Sequence, residues 1–247
     1  MSKKVLGVIP ARIGSTRVPG KMLADICGKP LIEWTILRTK EAKNIDTLVV
    51  ATDSPEIALV AERLGVKAIM TPSELKTGTD RVAEAVEQFT DFEPDIVVNI
   101  WGDEPLYPAS AIDEAIQLLL DDDELQVSGV ADLIESEEML NEPSIVKVLT
   151  DINNRVLCFT RSNVPFTHHE DAKFDPYHII GAMPMRREFL KTFLELPQTP
   201  IEKKEGIEQM RILENGFTMK IVKGHYNNLG VNTPSELEQV RNIFKER

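Results

Sequence analysis

Short apolar runs alternate with helical patterns over the first hundred residues, and this alternation limits the possible folds more than any other feature. The runs Val5–Pro10, Thr47–Thr52, Ala68–Thr71 and Ile96–Ile100 have the length of buried strands. Helical patterns lie between them, which gives the order β-loop-α-β-α-β-α-β. Because strands that are joined by helices and buried on both faces form parallel sheets, we expect an α/β protein. Its central sheet should be mostly parallel, with helices on both faces.

The second half of the chain has a different pattern. From about Val127 to Val222 it is richer in strands and less regularly interrupted by helices. The predicted strands there are Val127–Leu133, Val146–Thr150, Arg155–Thr160, His178–Met183 and Thr218–Val222. A smaller, strand-rich subregion should therefore follow the parallel sheet.

Several helix boundaries can be predicted from local residue types. Thr79 is expected to cap a helix that runs to about Phe89, and Gly216 to end a helix over Glu208–Asn215. Two Ser/Thr residues are followed three positions later by an acid, the spacing of a capping box. These pairs are Ser110 with Asp113, and Thr233 with Glu236 at the start of the last predicted helix, Pro234–Lys245.

Composition excludes several classes of function. The chain has 40 acidic and 28 basic residues, a net charge of −12, so its surface repels nucleic acid and anionic membranes. We expect neither as a partner. No run of about 18 apolar residues is present, and the N-terminus lacks the apolar core of a signal peptide. A cytoplasmic protein without membrane insertion is expected. The two cysteines, Cys27 and Cys158, lack the spacing of a disulfide scaffold or zinc ribbon.

The segment after the first predicted strand is basic although the protein is acidic. Between Ala11 and Lys29 it carries four cations and one acid. Glycines at 14 and 20 let a ligand approach the backbone, and Ser15 and Thr16 offer hydroxyl groups. Backbone N–H groups and cations are what a triphosphate requires, whereas the dinucleotide and Walker spacings are both absent. A solvated loop with incidental charge is the alternative.

The stretch Pro10–Lys21 resembles the signature loop of sugar nucleotidyltransferases. Further matching segments follow in the same order over nearly the whole chain and point to the 3-deoxy-manno-octulosonate (Kdo) cytidylyltransferase branch, the CMP-Kdo synthetases. They are Gly28–Ile32, Val50–Asp53, Thr77–Arg81, Gly102–Pro105, Val146–Val148, Phe159–Ser162, Glu208–Arg211 and Gly230–Pro234.

The resemblance implies a Rossmann-like nucleotidyltransferase fold and an enzyme that transfers CMP from CTP to Kdo or a Kdo-like sugar acid, with release of pyrophosphate. It further implies Mg²⁺ as cofactor, a homodimer and a place in lipopolysaccharide biosynthesis. We expect a single domain over residues 1–247, with a nucleotide-binding half (about 1–125), a sugar-binding and dimerisation half (about 126–230) and a C-terminal helix (231–247). The alternatives are transfer to a different acidic sugar or a sugar phosphate, and a nucleotide-binding homologue without turnover.

Arg12, Lys21 and Asp103 are the expected catalytic residues. Arg12 and Lys21 are assigned to the phosphates. Asp103 follows the apolar run Ile96–Ile100, where a carboxylate suits Mg²⁺, although an aspartate in a turn is the alternative. The resemblance places a second metal ligand at Asn232, where the family has a carboxylate, so the site has one negative charge fewer. The expected nucleotide-binding residues are Ala11, Arg12, Gly14, Ser15, Arg17, Lys21, Thr77, Gly78, Arg81 and Gly102.

The sugar side is expected to differ from the family in places. The candidate residues are Trp101, Arg161, His178, Glu208 and Gln209, with the Arg161 guanidinium binding the sugar carboxylate. For Arg81 and His178 a structural role is the alternative. Trp101 stands where the family has glutamine, and apolar or altered residues occur at Met183, Met185 and Ser144. These exchanges suggest a changed sugar, or compensated drift around the same one.

Overall fold

A computed structural model describes residues 3–15, 17–169 and 171–246 of the protein. Thr16, whose hydroxyl is part of the predicted phosphate loop, lies outside the described residues. The chain forms two compact units: unit 1 is Met1–Asp113 with Asn228–Arg247, and unit 2 is Glu114–Asn227. The divisions expected from the sequence lie at about residues 125 and 230.

The strands in chain order are β1 (Val5–Ala11), β2 (Asp25–Ile26), β3 (Lys29–Pro30), β4 (Thr47–Thr52), β5 (Lys67–Met70), β6 (Ile96–Ile100), β7 (Val127–Leu133), β8 (Lys147–Thr150), β9 (Val156–Thr160), β10 (Tyr177–Ile180), β11 (Ala182–Arg186) and β12 (Met219–Gly224). The helices are α1 (Leu31–Thr39), α2 (Pro55–Arg63), α3 (Gly78–Gln88), α4 (Ala109–Asp121), α5 (Glu137–Asn141), α6 (Arg187–Glu195), α7 (Pro200–Glu205), α8 (Met210–Glu214) and α9 (Pro234–Lys245).

Unit 1 contains the parallel sheet that the sequence predicts, with the strand order β5-β4-β1-β6. Strands β1 and β6 are buried along nearly their whole length, and helices α2 and α3 pack against β4 and β5. In the register of the sheet Ala11 lies opposite Thr52. The chain therefore leaves β1 and β4 at the same edge, the carboxyl edge, where open α/β sheets bind their ligands.

Unit 2 is the strand-rich part of the chain. Strand β7 pairs antiparallel with β10 and β11 and parallel with β12, while β10, β8 and β9 form an antiparallel ladder. The predicted strand His178–Met183 is two strands, because Gly181 lies between β10 and β11 with a left-handed φ of 62°. A residue in that conformation interrupts the extended backbone.

Three predicted helix boundaries are wrong. Helix α3 is capped by Thr77, not Thr79: the Thr77 hydroxyl accepts from the Asp80 N–H, and the Asp80 carboxylate accepts from the Thr77 N–H. Helix α4 begins at Ala109, so Ser110 lies within it, and the Asp113 carboxylate accepts instead from the N–H groups of residues 43 and 44. Helix α8 begins only at Met210. The capping box at Thr233 and Glu236 is confirmed.

Among the helices that the structure describes, none combines the length and the apolar character needed to cross a membrane.

Candidate active site

The predicted phosphate loop begins where β1 ends. Ala11 is fully buried, whereas Arg12, Gly14 and Arg17 are exposed. The loop closes in a short 3₁₀ turn over Lys21–Leu23, which Gly20 enters with a φ of 63° that favours glycine. A Cβ added to Gly14 would meet no atom of the described chain within 4 Å. The described residues therefore leave open space next to Gly14.

Lys21 and Asp103 are in direct contact. The Lys21 Nζ donates to Asp103 Oδ2 at 2.6 Å and to the Val231 carbonyl at 2.9 Å. The Val231 N–H in turn donates to the Asp103 carbonyl at 2.9 Å. The lysine assigned to phosphate, the aspartate assigned to the metal and the segment before Asn232 are thus brought together.

The two arginines of the loop differ in their contacts. The Arg17 guanidinium donates to Asn232 Oδ1 at 3.3 Å. Arg12 has no hydrogen bond or ion pair with any described residue. An exposed guanidinium without an internal partner is available to an anionic ligand.

A buried ion pair supports the start of this loop. Asp53 follows β4, and its Oδ1 accepts from the Ile13 N–H at 2.9 Å, while its Oδ2 lies 3.4 Å from Arg81 Nη2. The Arg81 guanidinium also donates to Thr71 and is 3% exposed. Arg81 therefore pairs with Asp53 rather than along its own helix. Asp53 is not among the functional residues predicted from the sequence, although its position directly after a buried strand, like that of Asp103, could have indicated a role.

The remaining predicted nucleotide residues lie close to the end of β1. The Ser15 hydroxyl accepts from the Val18 N–H at 3.4 Å, and that of Thr77 caps helix α3. A Cβ on Gly78 would lie 3.5 Å from Pro10, an ordinary contact, whereas one on Gly102 would lie 3.2 Å from the Pro10 carbonyl. Gly102 thus permits the chain to pass tightly against β1.

In unit 2, Arg161 is tied to the segment that carries Glu208 and Gln209. Its guanidinium donates to the carbonyls of Pro143 (2.8 Å), Glu205 (2.6 Å) and Gly206 (3.3 Å). Its backbone N–H donates to the Glu205 carboxylate at 2.9 Å. Arg161 therefore contacts the chain two residues before Glu208. Glu208 and Gln209 themselves lie in the turn that precedes helix α8.

The other predicted sugar residues are partly or fully enclosed. His178 is 8% exposed, and its Nε2 has no hydrogen-bond partner in the described part of the chain. Burial lowers the pKa of His178. Trp101 is half-buried. Met183 and Met185, each 1% exposed, belong to the core of unit 2, so they do not indicate a changed sugar surface.

A parallel sheet with a basic, glycine-containing loop after its first strand, and a lysine–aspartate contact at its carboxyl edge, defines a nucleotidyltransferase type of site. A family model described as cytidylyltransferase matches residues 6–221. The chain belongs to this cytidylyltransferase family. Membership confirms the α/β fold class and the nucleotidyltransferase activity expected from the sequence.

Relatives with curated names support the resemblance found in the sequence. The chain is 43% identical to a 3-deoxy-manno-octulosonate cytidylyltransferase of Francisella philomiragia, covering 96% of this chain and 97% of the relative. It is 37% identical to a protein of the same name from Solibacter usitatus, covering 99% and 96%.

Solved structures show the same fold. The chain is similar to a CMP:2-keto-3-deoxy-manno-octonic acid synthetase complexed with CTP, with a TM-score of 0.91, 34% identity and 99% coverage of both chains. A 4-diphosphocytidyl-2C-methyl-D-erythritol synthase from Anaerococcus prevotii has a TM-score of 0.65 at 16% identity, over 99% of this chain and 100% of that one, which shows the fold alone.

Proposed function

We propose that the protein transfers the CMP group of CTP to Kdo and releases pyrophosphate. The contact of Lys21 with Asp103, at the carboxyl edge of the parallel sheet, is the observation that carries this proposal. The names of the relatives at 37–43% identity, and the likeness to a synthetase complexed with CTP, support the choice of both substrates.

The reaction is one displacement at phosphorus. The anomeric hydroxyl oxygen of the sugar forms a bond to the α-phosphorus of CTP, the bond from that phosphorus to the bridging oxygen of the β-phosphate breaks, and pyrophosphate leaves. The hydroxyl proton is released to water. No covalent intermediate on the protein is needed, so positioning and charge neutralisation carry the rate.

The cations of the first loop supply that neutralisation. Lys21 acts on the charge that grows on the α-phosphate, and Arg12 and Arg17 act on the remaining phosphates. Without nucleotide the Lys21 ammonium is neutralised by Asp103. Nucleotide binding would therefore move the Lys21 ammonium from a carboxylate to a phosphate. The cost of desolvating the ammonium is smaller for this exchange than for a lysine that is fully hydrated before the nucleotide binds.

The residues present fit a Mg²⁺ ion that arrives with the nucleotide. Within the described residues no three His, Cys, Asp or Glu side chains are grouped to hold a metal by themselves. Mg²⁺ commonly takes one or two carboxylates together with substrate phosphates, and Asp103 with the amide oxygen of Asn232 would provide such a set. When bound, the ion would offset negative charge on the phosphates.

The remaining roles are also proposals. Ala11, Thr77 and Gly78 would meet the cytosine through backbone and hydroxyl groups, with Arg81 holding the loop through Asp53. Arg161, His178, Glu208 and Gln209 would form the sugar subsite, with Trp101 as the departure most able to change sugar preference. A homodimer and a cytoplasmic location stay predictions, and light scattering at known protein concentration tests the first.

Pyrophosphate release tests the proposed function. The purified protein is incubated with Mg²⁺, each of the four nucleoside triphosphates and a panel of Kdo, other acidic keto-sugars and sugar phosphates. Turnover with CTP and Kdo above all other pairs is expected. Preference for another acidic sugar would replace the acceptor. CTP binding without turnover of any sugar would favour a binding protein and overturn the proposal.

A further inference from the structure

Three ionisable side chains form a row across neighbouring strands of unit 2. His178 of β10 lies opposite Asp132 of β7 and opposite Lys147 of β8. Side chains that lie opposite each other in neighbouring strands point to the same face of a sheet. The exposed fractions of Asp132, His178 and Lys147 are 2%, 8% and 1%. The three groups therefore interact away from solvent, where charge interactions are weakly screened.

Lys147 is a buried cation that forms no ion pair with the described residues. Its Nζ donates to the carbonyl of Glu142 at 2.7 Å and to that of Arg161 at 3.2 Å. Burial lowers the pKa of Lys147. The Glu142 carboxylate raises the pKa of Lys147, but less than burial lowers it. A buried ammonium that forms no ion pair costs free energy, so two carbonyl bonds alone do not explain a lysine here.

One of the two carbonyls belongs to a candidate sugar residue. One precedes β8, and the other is that of Arg161 itself. The Arg161 guanidinium holds the carbonyls of Glu205 and Gly206, just before Glu208 and Gln209. Lys147 thus fixes the backbone of the residue that connects these segments.

Two charged groups face the His178 imidazole from the strands on either side, and they act in opposite directions. After burial, which is the largest cause, Lys147 also lowers the pKa of His178, whereas Asp132 and a backbone hydrogen bond at Ile179 raise it. The Asp132 carboxylate also accepts a hydrogen bond, from the Tyr226 N–H to its Oδ1 at 2.7 Å.

We propose that Lys147 is a positioning residue of the sugar subsite, whose buried ammonium fixes the Arg161 backbone and keeps the neighbouring His178 imidazole uncharged. The His178 Nε2 is buried and has no hydrogen-bond partner among the described residues. A neutral imidazole can donate or accept there, whereas an imidazolium can only donate, so the charge of the ring decides which hydrogen bond a sugar hydroxyl would form with it. This inference rests on the proposed function only for the identity of the sugar.

Nuclear magnetic resonance of the full chain tests the charge row without any substrate. The imidazole signal of His178, one of four histidines, is assigned by its loss in His178→Gln and titrated in three variants. Lys147→Met, which keeps the volume and removes the charge, should raise the pKa of His178. Asp132→Asn should lower it, and Lys147→Arg, the matched control that keeps the charge, should leave it near the wild-type value. A pKa that does not rise in Lys147→Met overturns the proposal.

Kinetics with CTP and Kdo give the second readout. In Lys147→Met, kcat/KM for the sugar should fall on the order of tenfold, with its acidic limb moved to higher pH, while KM for CTP changes less than about twofold. Equal losses for both substrates, or an unmoved acidic limb, would show a general structural role and contradict the inference. If the wild type does not turn over Kdo, the proposed function fails, and the titrations still decide the charge row.

Discussion

At the scale of single residues, Lys21 should affect turnover far more than nucleotide binding. Its Nζ contacts Asp103 at 2.6 Å, and the proposed function has it neutralise the charge that grows during the displacement. We expect Lys21→Ala to lower kcat by about a hundredfold or more, as loss of a donor to a developing oxyanion does, with a modest change in the CTP dissociation constant. Steady-state kinetics and calorimetric titration with CTP measure the two effects.

Lys29→Ala is the matched control for that experiment. Lys29 belongs to the same basic segment, but its Nζ lies 5.0 Å from the centre of the Trp34 ring and not at Asp103. Near-wild-type kcat is expected. A weakened CTP affinity with unchanged kcat in Lys21→Ala would show that this lysine only binds the nucleotide.

We predict that residue 232 influences how strongly the site holds a divalent ion. Replacing it with aspartate adds one negative charge next to Val231, which already contacts Asp103 and Lys21. Because Coulomb attraction to Mg²⁺ grows with that charge, Asn232→Asp should lower the Mg²⁺ concentration for half-maximal rate. Asn242→Asp, on helix α9, adds the same charge elsewhere in unit 1 and should leave that concentration unchanged.

A different result would give Asn232 another role. Its Oδ1 now accepts from Arg17 at 3.3 Å, and an aspartate would form an ion pair there. An unchanged Mg²⁺ requirement together with an altered KM for CTP would show that residue 232 positions Arg17 instead of binding the metal.

At the scale of secondary-structure elements, the strands of the parallel sheet position the residues that directly follow them. Asp53, after β4, connects the first loop with Arg81 of α3. Asp53→Ala should raise KM for CTP by roughly tenfold, because the Ile13 N–H loses its acceptor and the loop loses its support. It should also lower the free energy of unfolding by about 3 kcal/mol, since Arg81 is left buried without its partner.

Asp53→Asn separates the two contributions, because an amide oxygen still accepts from the Ile13 N–H but forms no ion pair. Urea unfolding should show most of the stability loss, and KM should stay close to that of the wild type. Equal KM values in the alanine variant and the wild type would contradict the role of Asp53 in holding the loop.

The elements that the sequence predicts best are the buried strands. Strands β4, β6 and β7 have the predicted bounds because an apolar run between turn residues has few other ways to be buried. Helices α5 and α7, of five and six residues, were not predicted, since helices with so few turns depend on packing. Helix α6, of nine residues, was not predicted either. Asp53 contacts Arg81, 28 positions further along the chain, and Lys147 contacts Arg161, 14 positions further along. Contacts between residues so far apart in sequence become visible only in the fold.

For the whole molecule, the titrating groups make stability depend on pH on the acidic side. The folded pKa of His178 is lowered, mainly by burial, so below its ordinary value of 6.5 the unfolded chain takes up a proton that the folded one does not. Burial raises the pKa of Glu202, but hydrogen bonds from Arg211 and the Thr199 backbone outweigh it and the net pKa is lowered from 4.5. Both groups therefore stabilise the fold above these values and lose that contribution as pH falls.

The loss of stability should consequently have two stages. Below pH 6.5 the loss comes first from the lowered pKa of His178, and below pH 4.5 the lowered pKa of carboxylates such as Glu202 adds to it. His178→Gln cannot take up a proton, so its unfolding midpoint in urea, followed by circular dichroism, should stay level through the first stage and fall only in the second. His225→Gln, at an exposed position, is the control and should keep both stages. Identical slopes in the His178→Gln variant and the wild type between pH 6.5 and pH 4.5 would show that His178 is protonated equally in the folded and the unfolded chain. The neutral imidazole on which the role of Lys147 depends would then be lost as well.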